Sequence, residues 1–289
     1  MAEFRMEFKE QIGGGGFADV FRAVRLDTGE EVAVKVLRDH KNADCRRRFE
    51  REVQYLLTVN HPSVVRILGH QLRTDPPYFV MPLMKHGNLT PWAGRLDFPV
   101  VRGLLRQLAS VLQYLHGRGL LHRDFKPDNI LVDADGNVAI GDFGLGNDPR
   151  FTVVLTVHAV GTPGYMAPEL HFTWGRASRA ADIYSLGATL FHLLTGIRPP
   201  VRLGASPLDP WEHNNSVPED LRNLVLHMVQ HDPRRRPSAA QIIEWLGLGS
   251  AQSGAGRVPV PPSAGEVLAV GGLAIAAVLA LAGLFGGNE

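Results

Sequence analysis

Cysteine is almost missing from this chain of 289 residues: Cys45 stands alone, so neither an intrachain disulfide nor a thiolate cage for a metal can form. The lone thiol fits a reducing compartment, and no second Cys or paired His pattern marks it as reactive. A surplus of charge is missing too. Thirty Lys and Arg stand against 29 Asp and Glu, a formal net charge of +1, so no global field draws the chain to nucleic acid or to an anionic surface. The triplets Arg46-Arg47-Arg48 and Arg234-Arg235-Arg236 have no interleaved aromatic residues and read as a solvated helix face and, at Arg236, a structural brace, so no nucleic acid is expected as a partner. The 12 histidines lack close ligand spacing, which argues against structural zinc. Residues 1–10 are charged and hold no apolar stretch of signal-peptide length, so nothing there would export the chain from the cytoplasm.

Long hydrophobic runs are scarce as well, with one exception. Val267 to Phe285 runs without a charged or strongly polar side chain, and as a helix it would rise roughly 28 Å, close to a bilayer core of about 30 Å. It is expected to be a single transmembrane helix, reached through a Gly/Ser/Pro-rich linker over residues 248–266 and followed by a short tail, residues 286–289. The nearest cation, Arg257, lies on the amino-terminal side, which places the bulk of the chain on the cytoplasmic face of a cell membrane. Gly272, Ala276 and Ala280 form a small-residue stripe that would let two such helices approach, the basis for expecting a homodimer.

What remains, about 247 residues, is long enough for a sizeable core. Up to Met81 the pattern is one of strands and turns: apolar alternation near Phe4 to Ile12, a glycine run, Val20 to Leu26, an Asp27-Thr28-Gly29 turn, and Val32 to Leu37. One helix interrupts them, with Phe49, Val53, Leu56 and Leu57 at helical spacing and Glu52 at the edge of that stripe. From Asn88 onward the pattern is helical. Val101, Leu104, Leu105, Leu108, Leu112 and Leu115 make one apolar stripe, and Ile183 to Leu194 is apolar on nearly every side. The fold class is α+β, a small β-rich lobe before a larger helical one.

Chemistry concentrates in His122-Arg123-Asp124-Phe125-Lys126-Pro127-Asp128-Asn129, followed by Asp142-Phe143-Gly144. Asn129 and Asp142 offer the hard oxygen ligands that Mg²⁺ prefers, which leaves Asp124 as a carboxylate able to orient and deprotonate an attacking hydroxyl. Upstream, Ile12-Gly13-Gly14-Gly15-Gly16 lies between two strands, where small residues let backbone N–H groups come close to phosphates. In Glu31-Val32-Ala33-Val34-Lys35-Val36, period-two alternation puts Ala33 and Lys35 on one face. An ammonium on such a strand needs an anionic partner, and Glu52 is the candidate, with nucleotide phosphates as the second.

These motifs, in this order and over about Glu7 to Leu246, resemble those of the eukaryotic-type (Hanks-type) serine/threonine protein kinase family, in its bacterial membrane-tethered form. The resemblance implies a bilobal protein kinase fold over residues 1–247, with a small lobe (1–81), a hinge (82–87) and a larger lobe (88–247). It implies ATP as phosphoryl donor, Mg²⁺ or Mn²⁺ as cofactor, and proteins as substrates. Gly13 and Gly15 would match the first two loop glycines, with Ala18 in place of the third. Lys35 and Glu52 would pair to hold the α and β phosphates, while Ile12, Val20 and Ala33 would border the adenine. Met81 would be the gatekeeper and the Met84 N–H a hinge donor, Pro82 departing from the usual Glu. Asp124 would be the base, Lys126 would neutralise the transferred phosphate, and Asn129 and Asp142 would hold the metal. Thr162 would bridge Asp124 and Lys126, Glu169 would pair with Arg236, and Asp182 would hydrogen-bond the catalytic loop. A phosphothreonine at Thr156, or else Thr152, would pair with Arg123 and order the activation segment. The rival expectations are a catalytically silent pseudokinase scaffold and a small-molecule phosphotransferase, the latter disfavoured by the shelf from Gly161 to Glu169.

Overall fold

The computed structural model of the chain describes residues 5–15, 17–143, 163–172, 177–201, 208–248 and 256–260. The small lobe is a five-stranded antiparallel sheet made of β1 (Met6–Gly14), β2 (Ala18–Arg25), β3 (Glu31–Leu37), β4 (Gly69–Gln71) and β5 (Tyr78–Pro82), in the order β1-β2-β3-β5-β4. Its period-two pattern sorts the residues by face. Ala23, Val32, Val34 and Val80 form the core of one face, all fully buried. The other face carries Ala33 and Lys35, with α1 (Ala43–Thr58) laid beside β3.

Helix α1 starts where Asn42 accepts hydrogen bonds from the Asp44 and Cys45 N–H groups, a side-chain cap on otherwise orphaned donors. Phe49, Val53 and Leu56 are buried as the spacing predicts, and Phe49 packs on Phe79 with ring centroids 5.4 Å apart. Leu57 is a correction. It is 50 % exposed, because it lies roughly 80° round the helix from Phe49 and so off the stripe.

The large lobe is built on α2 (Phe98–Gly117), the hairpin of β6 (Ile130–Val132) and β7 (Val138–Ile140), α3 (Pro168–Phe172), α4 (Arg179–Thr195), α5 (Glu219–Met228) and α6 (Ala239–Leu248). All six apolar stripe residues of α2 are buried, and the helix packs on α4 and α6. Every residue of α4 from Ala181 to Leu194 is buried, so that helix is the axis of the lobe. Ser178 caps its start through the Ala181 N–H, and Gly196 in the left-handed conformation (φ 73°) ends it.

The compact body does not stop near residue 247 but runs to Val258. Composition suggested a linker with little to bury; in the structure Gly256 is close-packed on α2 and Val258 is 2 % exposed. Close backbone approach at glycines supplies what the side chains of this stretch do not. The expected transmembrane segment, residues 267–285, lies outside the described residues, and among those described no helix is long and apolar enough to cross a membrane.

Candidate active site

Sheet register brings the nucleotide-facing residues together before any side-chain contact is considered. Val20 pairs with Lys35 and Ala33 with Met81, so Val20, Ala33, Lys35 and Met81 share one face of the sheet. The glycine loop begins at an irregularity in the β1–β2 ladder between Gln11 and Gly13. Ile12 stands there, 46 % exposed, an apolar side chain uncovered at the loop's edge. Gly15 N–H donates to Ala18 O at 3.0 Å, and Gln11 Nε2 donates to Gly13 O at 3.1 Å and to Asp19 Oδ1 at 2.8 Å, which closes the loop on itself. At the lobe connection the Met84 carbonyl accepts from Gly87 N–H at 3.0 Å, whereas the Met84 N–H meets no acceptor among the described residues.

Lys35 joins the lobes. Its Nζ lies 2.6 Å from Glu52 Oε1 and 2.5 Å from Asp142 Oδ1, with the Lys35 and Glu52 side chains each 13 % exposed. Burial alone would push the ammonium toward deprotonation; the negative charges of Asp142 and Glu52 outweigh it and leave the Lys35 pKa raised. Asp142 is held below the usual carboxylate range, chiefly by the charge of Lys35 beside it. Glu52 goes the other way, because its burial, with the nearby negative charge of Asp142, outweighs the attraction of Lys35.

The catalytic loop is pinned from below by Asp182 at the start of α4. Its buried carboxylate accepts from His122 N–H (3.0 Å), Arg123 N–H (2.8 Å) and His116 Nε2 (2.9 Å). Those bonds hold Arg123 at φ 70°, a conformation a non-glycine residue keeps only when its surroundings enforce it. His122 is fully buried between Phe125 and Phe143, with centroids 5.2 and 4.7 Å away, and its Nε2–H donates to Gly141 O at 3.3 Å. Burial lowers the His122 pKa, which favours the neutral ring.

Two donors then converge on Asp124. Lys126 Nζ is 2.8 Å from its Oδ2, and Asn129 Nδ2 donates to the same oxygen at 3.0 Å and to the Asp124 carbonyl at 2.7 Å. With Oδ2 occupied, Oδ1 is the oxygen left to take a hydroxyl proton. The amide of Asn129 has its nitrogen committed to Asp124, and its oxygen accepts no hydrogen bond from any described residue. One uncommitted amide oxygen, with the Asp142 carboxylate 61 % exposed, fits a divalent cation of the Mg²⁺ type, which takes few protein ligands and completes its shell with phosphates and water.

The brace expected between Glu169 and Arg236 is present and bidentate, both bonds 2.7 Å, with further bonds from Arg236 to the carbonyls of Gln230, Ala180 and His231. Thr152, Thr156, Thr162 and Gly144 lie outside the described residues. Residues that sequence reading missed are His116, which completes the Asp182 pocket, the Asp19–Arg38 pair at the glycine loop, and Tyr55, whose hydroxyl donates to Leu121 O at 3.2 Å and ties α1 to the strand of chain entering the catalytic loop. Nothing in their local sequence separates them from ordinary helix and strand faces.

A sheet-topped helical lobe with a Lys–Glu–Asp bridge over a pinned His-Arg-Asp loop defines a domain of the protein kinase class. The family profile described as protein kinase domain matches residues 6–245, and the chain belongs to that family. It is 33 % identical over 256 residues to serine/threonine-protein kinase PrkC of Bacillus subtilis, spanning 83 % of this chain and 39 % of that protein. It is 33 % identical over 259 residues to CBL-interacting protein kinase 12 of Oryza sativa subsp. japonica (85 % and 48 %), and 34 % over 260 residues to the DNA damage-responsive serine/threonine-protein kinase RqkA of Deinococcus radiodurans (84 % and 39 %). The chain thus spans about half the length, or less, of these relatives.

Proposed function

We propose that this chain is a serine/threonine protein kinase that transfers the γ-phosphoryl group of ATP to Ser and Thr hydroxyls of proteins, itself included. The observation that carries the reading is the pair of neighbouring clusters, Lys35 with Glu52 and Asp142, and Lys126 and Asn129 with Asp124, joined where Gly141 N–H donates to Asn129 O. All of these groups are present, bonded within two clusters, one around Lys35 and one around Asp124. Lys35, fixed by Glu52, offers its charge to the nucleotide phosphates. Asp124, oriented by Asn129, receives the proton of the attacking hydroxyl, and Lys126 beside it offsets charge on the group in transfer. Asn129 and Asp142 would hold the cation, Mg²⁺ or Mn²⁺, which when bound neutralises charge on the phosphate oxygens. The names of its relatives and the Lys126–Asp124 contact support Ser/Thr over Tyr as acceptor.

The same proposal extends to location. The apolar run 267–285 supports a single membrane span with the kinase body on the cytoplasmic side, and its small-residue stripe supports pairing of two copies. Incubating the full chain with γ-labelled ATP, Mg²⁺ and a generic protein substrate, then analysing the phosphoamino acids, tests the activity. Label on Ser and Thr that vanishes with Asp124→Asn is expected. Label confined to small molecules, or none at all, would refute it.

A further inference from the structure

The two residues assigned to the metal sit at the open end of a very short hairpin. Asn129 directly precedes β6, Asp142 comes two residues after β7, and Gly141 N–H donates to Asn129 O at 2.9 Å, which closes that end. Each strand is three residues long, roughly 10 Å, so a tilt at the turn is carried to the ligand end. A two-stranded hairpin alone is marginal in water and depends on what flanks it. The strand ends are tied: Ile140 N–H donates to Ser63 O (2.9 Å), Val65 N–H to Ile140 O (3.0 Å), and Val132 N–H to Gly87 O (2.8 Å). Within the turn, Asp133 accepts from the N–H groups of Asp135 and Asn137, both at 2.9 Å.

The outer tip of that turn is held by a stretch of chain beyond residue 245, where the family match ends. Val258 N–H donates to Gly136 O at 2.8 Å, and its side chain is 2 % exposed. Gly136 has φ 78°, and a Cβ there would lie 2.2 Å from Val258 O, so only glycine admits the approach. Two residues earlier, Gly256 lies so near α2 that a Cβ on it would stand 2.1 Å from the Gly103 carbonyl carbon, and its own carbonyl accepts from Gln107 Nε2 at 3.0 Å. Gly103 itself sits inside α2, where glycine costs about 1 kcal/mol relative to alanine in helix propensity. Glycines at 103, 136 and 256 thus make one seat for backbone against backbone, in a segment whose composition otherwise reads as linker.

We propose that Gly256–Val258 is a strap that clips the β6–β7 turn to α2, making Val258 a positioning residue for the metal ligands Asn129 and Asp142. This rests on the kinase reading only in assigning those two residues to the metal. The strap fixes the tip of the hairpin, the hairpin fixes the spacing of its two ligands, and release of the strap weakens the hold on the cation.

The test uses the full chain in detergent, with Val258→Asp and Gly256→Val as separate variants. Trypsin cutting after the exposed Arg257 reports release, and about a tenfold acceleration is expected in both. Amide exchange across residues 130–142 without nucleotide should quicken. The Mg²⁺ concentration for half-maximal phosphoryl transfer should rise about threefold to tenfold, with the rate at saturating Mg²⁺ kept within a factor of about two. Unchanged cutting in both variants would overturn the strap, and faster cutting with unchanged exchange and Mg²⁺ dependence would overturn its positioning role. An inactive wild-type chain would instead sink the kinase reading, and the cutting and exchange arms would then decide the strap.

Discussion

At the scale of single residues, Asp124 is prepared for its role by what surrounds it. Lys126 and Asn129 share its Oδ2, and the loop carrying it hangs on Asp182. Asp124→Asn removes the proton acceptor while keeping the shape, so kcat should fall by about 10²- to 10⁴-fold with KM for ATP little changed, as steady-state kinetics would show. A KM effect without a kcat effect would assign Asp124 to binding. Arg236 has no exposed side-chain area and is satisfied by Glu169 and three carbonyls, so Arg236→Ala empties a packed site and removes its bonds to the half-buried Glu169 carboxylate and to those carbonyls. That should cost about 3–5 kcal/mol in urea unfolding, against less than about 1 kcal/mol for exposed Arg234→Ala, whose pair with Asp232 is a surface one. Both long-range pairs, Lys35–Glu52 and Glu169–Arg236, were legible in the sequence because each member sits in a recognisable motif. His116 was not: inside Tyr114-Leu115-His116 it looks like any helix residue, and only the fold brings it to Asp182.

Among the elements, α2 and α4 follow the hydrophobic pattern because a buried helix has little else to obey. The sheet is equally readable, since one period-two alternation decides both the core face and the nucleotide face. Legibility fails where packing depends on the absence of a side chain. The strap at Gly256–Val258 and the crossing of α4 over α5 are both of that kind. At Gly187 of α4 a Cβ would lie 2.7 Å from Met228 Cβ and 2.9 Å from Val229 Cγ1. Gly187→Val should therefore overpack this crossing and cost about 1–3 kcal/mol, read as a lowered melting temperature. A variant that melts with the wild type would show that α5 yields freely.

Across the whole molecule, three wholly or partly buried histidines shape how stability follows pH. Burial lowers the pKa of His61, His122 and His192, so each stays neutral in the fold at pH values where the unfolded chain's histidines take up protons. Below about pH 6.5 the unfolded state binds more protons, and stability falls as pH falls toward the depressed folded values. Glu52, raised by burial, acts in the opposite sense but is one group against three. The denaturation midpoint should be lower at pH 5.5 than at pH 7.5, and His192→Gln should flatten the difference; equal midpoints in the wild-type chain would contradict this.

Phosphoryl transfer by this chain requires Asn129 and Asp142 to place a cation between the nucleotide and Asp124. Titrating ATP into the full chain by calorimetry, with and without Mg²⁺, for wild type and Asp142→Asn, reads this without requiring turnover. The prediction is that Mg²⁺ tightens ATP binding to the wild type at least about tenfold, and that Asp142→Asn binds ATP but gains little from the metal. An equal gain from Mg²⁺ in both proteins would contradict the account.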